Sequence, residues 1–310
     1  MLVVGVGSLV CGASTAQALS LSPAIIETQM NPGETRTVPL SVTNDETVPI
    51  QLYASLQKFL PLGTQGQQRF LPPEDIEGLP SWTFVSVENT PLKPGETRVI
   101  PIQFRVPLDA RQGGAYEAIF LSTQPPKGLT NQKNIGIRSR IGALVLLSVG
   151  DIGKTELQVT DWHLEEPLQS HVLGGSVRVT LQNNGRTHVH PKGALVIRNA
   201  FGREVERVAL NADMGRVLPA SERTFDVKFG VEHRTGGIIN LLLDELRGFG
   251  MGTYTISLEL TEGVSTPPAV LRISIWSWHV LIPPFMLLVT LFVLFRLYRA
   301  RLIRSWQSRT

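Results

Sequence analysis

Alternation of apolar and polar residues is the feature that most constrains how this chain can fold. Such runs include Val38-Leu40-Val42, Ile100-Ile102-Phe104-Val106, Val177-Val179-Leu181 and Ile256-Leu258-Leu260. A period of two is typical of a strand with one buried face, and clusters of Pro, Gly, Asn and Asp separate the runs as turns do. About seven runs, the number in an immunoglobulin-like sandwich, lie on each side of Gly150-Asp151. The pattern predicts an all-β fold of two immunoglobulin-like β-sandwich domains in tandem, at 19–150 and 151–275.

A repeated pentapeptide supports this division. Pro32–Arg36 recurs as Pro94–Arg98, and Pro219–Arg223 holds the equivalent position in the second half. Each copy leads into an alternating run, so the Pro-Gly pair is interpreted as a tight turn before a strand. The second half has a longer interval before its Gly-x-Tyr motif, and the extra residues include an apolar stretch at helical spacing. This predicts a short helix inserted at 237–247, which either caps the sandwich or contacts a partner or membrane.

The N-terminal segment indicates export. Residues 1–18 are apolar and small and end in Ala16-Gln17-Ala18, which matches the pattern before a signal peptidase site. The segment is therefore predicted to be a signal peptide, with a buried strand or an uncleaved anchor as the alternatives. Its start has no basic residues, so Met1 need not be the true start of the protein.

The C-terminal segment predicts a membrane anchor. No formal charge occurs between Arg272 and Arg296, and the apolar stretch is long enough to span about 30 Å of hydrocarbon. The prediction is a transmembrane α-helix at 276–295, with Trp276 and Trp278 at the outer interface and a basic cytoplasmic tail at 296–310. Five arginines lie in that tail: Arg296, Arg299, Arg301, Arg304 and Arg309. Because basic residues favour the cytoplasmic side, these arginines predict a single-pass protein of the cell membrane with its ectodomain outside.

Charge and cysteine content exclude several classes of function. The formal net charge is +3, yet acidic residues outnumber basic ones before the arginine-rich tail. A slight excess of acidic residues in the part of the chain before the tail argues against nucleic-acid binding. Cys11 is the sole cysteine, so a disulfide framework and thiolate metal or redox chemistry are not expected.

The search for catalytic chemistry predicts a protein that is not an enzyme, with no catalytic or cofactor-binding residues and no cofactor. His188 and His190 flank Val189 and would share one face of a strand, as two metal ligands do, but polar residues at a strand end explain the pair as well. No third ligand can be named, so no metal site is predicted and the pair is kept as the candidate. Ser55 and Lys58 match S-x-x-K, which works only where it opens a helix, and here it lies in an alternating run.

Several stretches carry a family resemblance. In the first half these are PGETRTVPLSVTN, QGGAYEAIFLS and IGALVLLSV, and in the second half GGSVRVTLQNNGRTHVHPKGALVI, LPASERTF and GMGTYTISLEL. Together with the anchor and basic tail they resemble the WxL-interacting bacterial surface proteins, and the first half is also similar to the immunoglobulin-like domain of periplasmic pilus chaperones. The first resemblance implies that domain 1 binds peptidoglycan and that domain 2 holds a partner surface protein. It assigns no partner-binding residue by position.

These observations predict a non-catalytic, membrane-anchored adhesion or scaffold protein outside the cytoplasm. Its expected partners are a bacterial surface protein or a cell-wall polymer such as peptidoglycan, and the lipid bilayer through the C-terminal helix. The alternative is an assembly chaperone or secretion accessory that acts by strand complementation. A membrane-tethered hydrolase is a third class, and the lack of a nucleophile or metal constellation in the sequence counts against it.

Overall fold

Strands make up most of the chain that the computed structural model describes, which comprises residues 19–125, 140–165, 173–230, 239–240, 243, 250–261, 270–277 and 279–307. The strands are β1 (Leu19–Ser22), β2 (Ile25–Met30), β3 (Thr35–Asn44), β4 (Tyr53–Leu62), β5 (Gln67–Phe70), β6 (Thr83–Val85), β7 (Thr97–Arg105), β8 (Gly113–Ser122), β9 (Arg140–Val149), β10 (Leu157–Glu165), β11 (Gly174–Asn183), β12 (Gly193–Asn199), β13 (Glu204–Ala209), β14 (Ser221–Gly230), β15 (Met251–Leu260) and β16 (Val270–Trp276). The described helices are α1 (Leu79–Trp82) and α2 (Ile282–Gln307), with a 3-10 turn at His279–Leu281 before α2.

The chain divides into two compact units. Unit 1 comprises Met1–Leu60 with Gln68–Ile152, and unit 2 comprises Pro61–Gln67 with Gly153–Thr310. The prediction of an all-β fold with immunoglobulin-like sandwiches and one C-terminal apolar helix is confirmed. The finer limits predicted for the two β domains remain predictions.

Unit 1 is a sandwich of two sheets, in the orders β1-β3-β7-β6 and β2-β9-β8-β4-β5. The chain changes sheets at the cis Ser22–Pro23 peptide, so that β1 pairs with β3 while β2 runs parallel to β9. Alternate residues of both sheets meet between them, as the pattern predicts, and form one buried apolar cluster. Leu40, Ile102 and Phe104 contribute from the first sheet, and Ile119 and Val145 from the second.

Unit 2 is built in the same way from the sheets β10-β11-β14 and β13-β12-β15-β16. Its buried cluster joins Val177 and Val179 of β11 to Leu195 of β12 and Ile256 of β15. The β16 strand runs antiparallel to β15 and ends at Trp276, directly opposite Met251. This edge strand leads the chain out of the sandwich toward α2.

The repeated pentapeptide forms the same turn at both PGETR copies. The carboxylate of Glu34 accepts a hydrogen bond from the Asn31 N–H (2.9 Å), and Glu96 accepts one from the Lys93 N–H at the same distance. Each of the two carboxylates also accepts a hydrogen bond from the arginine two residues later, at 2.6 and 2.7 Å. These hydrogen bonds, with the backbone donor first in importance, lower the pKa of both glutamates. The repeat therefore has a structural role, because it fixes the turn that precedes β3 and the turn that precedes β7.

The segment between Phe59 and Pro80 contains regular structure. The β4 strand continues to Leu62, and β5 follows after a turn with positive φ at Gly63 (60°) and Gly66 (73°). Glycine adopts this backbone conformation without steric cost, which allows the chain to reverse as a hairpin.

The C-terminal helix starts later and ends later than predicted. Trp276 is the last residue of β16, not the first of a helix, and α2 begins at Ile282. Pro283 and Pro284 stand in its first turn, where proline costs no intrahelical hydrogen bond. The helix continues through Arg296 to Gln307, because basic residues are good helix formers.

Two further predictions lie wholly or largely outside the described residues. The signal peptide at 1–18 is one of them. The inserted helix at 237–247 is the other, although Ile239, Asn240 and Leu243 within it are described and are helical.

Candidate functional site

One edge of unit 1 presents unpaired backbone groups. The β9 strand pairs with β8 from Arg140 to Val149, but β2 covers its other side only from Leu144 onward. The Leu144 N–H donates to the Ala24 carbonyl (2.9 Å), which shows that Leu144 points its backbone groups toward β2. Successive residues of a strand point these groups to opposite sides, so Arg140 and Gly142 share the direction of Leu144. Within the described chain no strand forms ladder hydrogen bonds with this side of the two residues, although β1 lies near β9, so their backbone groups are unpaired.

Side chains fix the conformation of this edge. The Arg140 guanidinium lies over the Phe120 ring, 4.1 Å from its centroid, and its Nη1 contacts Gln57 Oε1 at 3.5 Å. The same ring packs on Gly142, where an added Cβ would lie 2.7 Å from it. Glycine is therefore required for the close contact, and a cation–π contact holds the arginine beside the open backbone. Contacts within the sheet therefore hold one face of the first residues of β9 in place without a partner.

An aromatic cluster supports Phe120 from behind. Phe70 of β5 meets Phe120 edge-on at 5.1 Å and Phe59 of β4 at 6.2 Å, and Phe59 lies 5.9 Å from Tyr116. Ring pairs at these separations stabilise each other beyond the area they bury. The cluster links β4, β5 and β8 on the face of the sheet opposite the core, which stiffens the support of β9.

Glu117 of β8 is a charged residue type placed in the core of unit 1. Its side chain is fully buried and points between the two sheets, where Oε1 lies 2.5 Å from Thr83 Oγ1 of β6. Its second oxygen, Oε2, is buried and makes no hydrogen bond with any described residue. Burial raises the pKa of this carboxyl to about 7, and the hydrogen bond from Thr83 only partly offsets that effect.

The hydrogen bonds of Thr83 indicate which protonation state fits the site. The Thr83 hydroxyl has one proton but two acceptors within reach, Glu117 Oε1 and the Leu79 carbonyl at 3.0 Å. A protonated Glu117 resolves this conflict, because it donates to Thr83 while Thr83 donates to Leu79. Below pH 7 the geometry and the raised pKa therefore both favour a neutral carboxylic acid that bridges the two sheets.

A groove of about 790 Å³ opens beside Thr83, between β4 and β6. Its walls are mainly apolar and include Leu56, Ile76, Phe84 and Val85. Arg105 stacks on the exposed Phe84 ring at 4.6 Å, so a cation borders the apolar surface.

The structure does not bring together a catalytic or metal-binding constellation in the ranges it describes. His188 is buried and His190 half-buried, and they flank the isolated bridge between Val189 and Val217. No group of three or more His, Cys, Asp or Glu suited to a metal occurs among the described residues. Lys58 pairs with Asp75 (3.1 Å) rather than with a serine nucleophile.

Sequence reasoning missed the main residues of this site for different reasons. Glu117 could have been found, because it occupies a core position in the alternation of β8, where an unpaired acid is unusual. No sequence pattern marks Arg140 and Gly142, because their backbone groups are unpaired only where β2 does not reach along β9.

Among known proteins, the similarities found are to solved structures. No protein-family model and no curated protein matches the sequence. Solved structures do match, among them the class 5 fimbriae chaperone CfaA, at 12% identity and a TM-score of 0.37 over 82% of this chain and 98% of that one. The CsuC–CsuE chaperone–tip adhesion subunit complex of Acinetobacter baumannii matches at 13% identity and 0.37 (83% and 98%), and the Pseudomonas aeruginosa CupB2 chaperone at 14% and 0.34 (83% and 100%). Sequence identities this low do not indicate the partner or the activity of this chain.

Proposed function

We propose that this protein binds an extended segment of another protein by strand addition at the open edge of β9. The observation that carries the proposal is the outward direction of the Arg140 and Gly142 backbone groups, next to a ring-supported arginine. Backbone hydrogen bonds to a sheet edge supply affinity that is largely independent of the partner's sequence, and flanking pockets supply selectivity. This is the behaviour of an assembly chaperone or secretion accessory.

The same edge is less suited to a cell-wall polymer. Its donors and acceptors alternate along a strand, and the complementary pattern is that of another polypeptide backbone in extended conformation. The adhesion or scaffold function predicted from the sequence is compatible with this edge when the ligand is a surface protein. Peptidoglycan binding has no comparable support among the described residues.

The proposal includes a membrane anchor in α2. In the described part of the chain, Ile282–Arg299 is the segment long and apolar enough to cross a bilayer, and none of it is buried by the rest of the protein. The 26 residues of α2 extend about 39 Å, which exceeds the roughly 30 Å of a hydrocarbon core. The arginines that follow favour a cytoplasmic C-terminus and an ectodomain on the other side.

Site-specific photocrosslinking in the native membrane tests the proposal directly. A photoreactive side chain at Arg140 should capture one protein through a short contiguous segment, which mass spectrometry of the joined peptides identifies. The matched control carries the same group at Val99, an exposed residue of β7 in the opposite sheet. Capture of the same species from both positions would contradict strand addition at β9.

A backbone-specific variant separates strand addition from a side-chain contact. Arg140→Pro removes the outward N–H, whereas Arg140→Ala keeps it and removes only the guanidinium. Strand addition predicts loss of partner binding in Arg140→Pro and a smaller effect in Arg140→Ala, with protection of the Gly142 amide from hydrogen exchange in the wild-type complex. Equal losses in both variants would show that the side chain, and not the backbone edge, binds the partner.

A further inference from the structure

We infer that the end of unit 2 from which α2 leaves is itself a lipid-contacting surface, with Phe201 at its tip inserted in the boundary between headgroups and acyl chains. The inference rests on the membrane anchoring proposed above and adds a second, peripheral contact to it. The contact would set the orientation of unit 2 on the bilayer, which a single point of attachment cannot do.

Strand register places the Phe201 turn and the anchor exit at the same end of one sheet. Asn199, the last residue of β12, pairs with Tyr254 of β15, which pairs with Ile273 of β16. The β16 strand then continues by three residues, or about 10 Å, to its end at Trp276. The β12–β13 turn projects by up to about 7 Å beyond Asn199 in the same direction. Phe201 therefore reaches nearly the level of Trp276.

The turn that carries Phe201 is rigid. Asn199 Oδ1 accepts hydrogen bonds from the Phe201 and Arg203 N–H groups, both at 3.1 Å, and the Gly202 N–H donates to the Asn199 carbonyl at 2.9 Å. Gly202 has a φ of 77°, which favours glycine and completes the reversal. Phe201 is 94% exposed on this fixed support. A single exposed ring is ordinary on a protein surface, so Phe201 indicates a lipid contact through its place at the end of the sheet from which α2 leaves.

The connection to α2 is short and its origin is fixed. The Ser277 N–H donates to the Gly250 carbonyl (3.2 Å), and the Gly250 N–H donates to Ser277 Oγ (3.1 Å), both in buried surroundings. Four residues separate Ser277 from Ile282, the first residue of α2, and they extend at most about 14 Å. The headgroup region of a bilayer spanned by α2 must therefore lie close to this end of the sheet.

The residue types at this end suit a membrane interface. Met251 and Trp276 are paired on the outer face of the β15–β16 ladder and are 47% and 57% exposed. Tryptophan and phenylalanine are favoured at the level of the headgroups. Arg203 follows Phe201 on the turn, and no carboxylate of the described residues pairs with it, so it is available to anionic lipid phosphates.

Depth measurements with a fluorescent label test the inference in the full-length protein. Cys11, the sole cysteine, is changed to serine, and single cysteines are placed at Ala200, Met214 and Leu287 for labelling with an environment-sensitive dye. Met214 is the matched control, because it is an exposed apolar residue (66%) beyond β13, at the opposite end of the same unit. The protein is reconstituted in nanodiscs of phosphatidylcholine and phosphatidylglycerol with or without lipids that carry a quencher.

The expected result is quenching and a blue-shifted emission at positions 200 and 287, with neither at 214, and loss of both effects at 200 when Phe201 is changed to Ser. Quenching at 287 with position 200 behaving as 214 would overturn the lipid contact and leave the anchor intact. Absence of quenching at 287 would overturn the anchor itself. Equal quenching at 200 and 214 would also contradict the inference, because it would show that unit 2 adsorbs without a defined orientation.

Discussion

Asn44 and Asn183 make the same hydrogen bonds in the two units. Each is fully buried at the end of its strand, and each Nδ2 donates to two backbone carbonyls, those of Val48 and Leu92 for Asn44 and their counterparts in unit 2. Asn183 reaches the carbonyls of Thr187 (2.8 Å) and Val217 (2.9 Å). Each Oδ1 accepts a hydrogen bond from the N–H two residues later. The two asparagines therefore fasten equivalent loops to the ends of the two sandwiches.

The asparagine bonds predict a large and local loss of stability on truncation. Asn44→Ala should lower the free energy of unfolding of unit 1, and Asn183→Ala that of unit 2, each by about 2 to 4 kcal/mol, because two buried carbonyls lose their donor. Hydrogen exchange resolved by peptide reads the two units separately in the same protein.

The control for this pair is Asn184→Ala. The Asn184 side chain is exposed and makes a single long contact to Gln158 Oε1 (3.3 Å), so its loss should cost little. A similar loss from Asn184→Ala, or a loss from Asn183→Ala that spreads equally over both units, would contradict the local role.

The third copy of the pentapeptide predicts a stabilising substitution. Gly95 and Ala220 occupy equivalent positions in the turns of the two units. The Gly95 N–H donates to the Asn44 carbonyl, and the Ala220 N–H donates to the Asn183 carbonyl. Their φ values are 71° and 52°, a conformation that is strained for alanine. Ala220→Gly should therefore stabilise unit 2 by about 0.5 to 1 kcal/mol, which thermal unfolding can detect.

The reverse change at the equivalent turn is the matched control. Gly95→Ala should destabilise unit 1 by about 1 kcal/mol, and no steric contact complicates the result because an added Cβ would have no neighbour within 4 Å. A destabilised Ala220→Gly protein would mean that strain at this turn is not what the φ angle implies.

Glu117 predicts a pH dependence of stability in unit 1. Its pKa is about 7 in the folded protein against an ordinary value of 4.5, so the folded state retains a proton that the unfolded state releases. Stability from this group is complete below pH 4.5 and falls by about 3 kcal/mol as the pH rises to 7. Glu117→Gln keeps the shape and abolishes the titration, so the decrease should disappear when unfolding by guanidinium is followed through β8 amide exchange.

Comparison with a surface acid makes the pH test specific. Glu74 is exposed, and Glu74→Gln should leave the decrease in stability between pH 4.5 and 7 intact. Retention of that decrease in Glu117→Gln would assign it to another group.

The joint between unit 2 and α2 predicts a further local effect. Ser277→Ala removes the hydroxyl that accepts from the Gly250 N–H and leaves that buried donor without its partner. The change should destabilise the β15–β16 end by about 1 to 3 kcal/mol and speed exchange of the Gly250 amide. Ser274→Ala, an exposed position on β16, is the control, and equal exchange rates in the two variants would refute the role of the joint.

The local pattern of the sequence was enough to predict the fold class. A period of two determines which side of a strand is buried, so β3, β7 and β11 follow from residues such as Leu40, Ile102 and Val179 alone. The pentapeptide likewise predicted the turns that Gly33 and Gly95 form, because a positive φ favours glycine. Apolar length predicted the C-terminal helix but not its start at Ile282, because β16 continues through Trp276.

Only the tertiary structure decided where the candidate sites lie. The sequence of β9 does not reveal that β2 pairs with it only from Leu144 onward, since that depends on where the chain crosses between sheets. Nor does it bring Glu117 to Thr83, or Phe201 to the level of Trp276, because strand register joins residues far apart in the chain. Local pattern specifies which face of a strand is buried. Long-range strand pairing specifies which strand edges stay unpaired and which distant residues lie side by side.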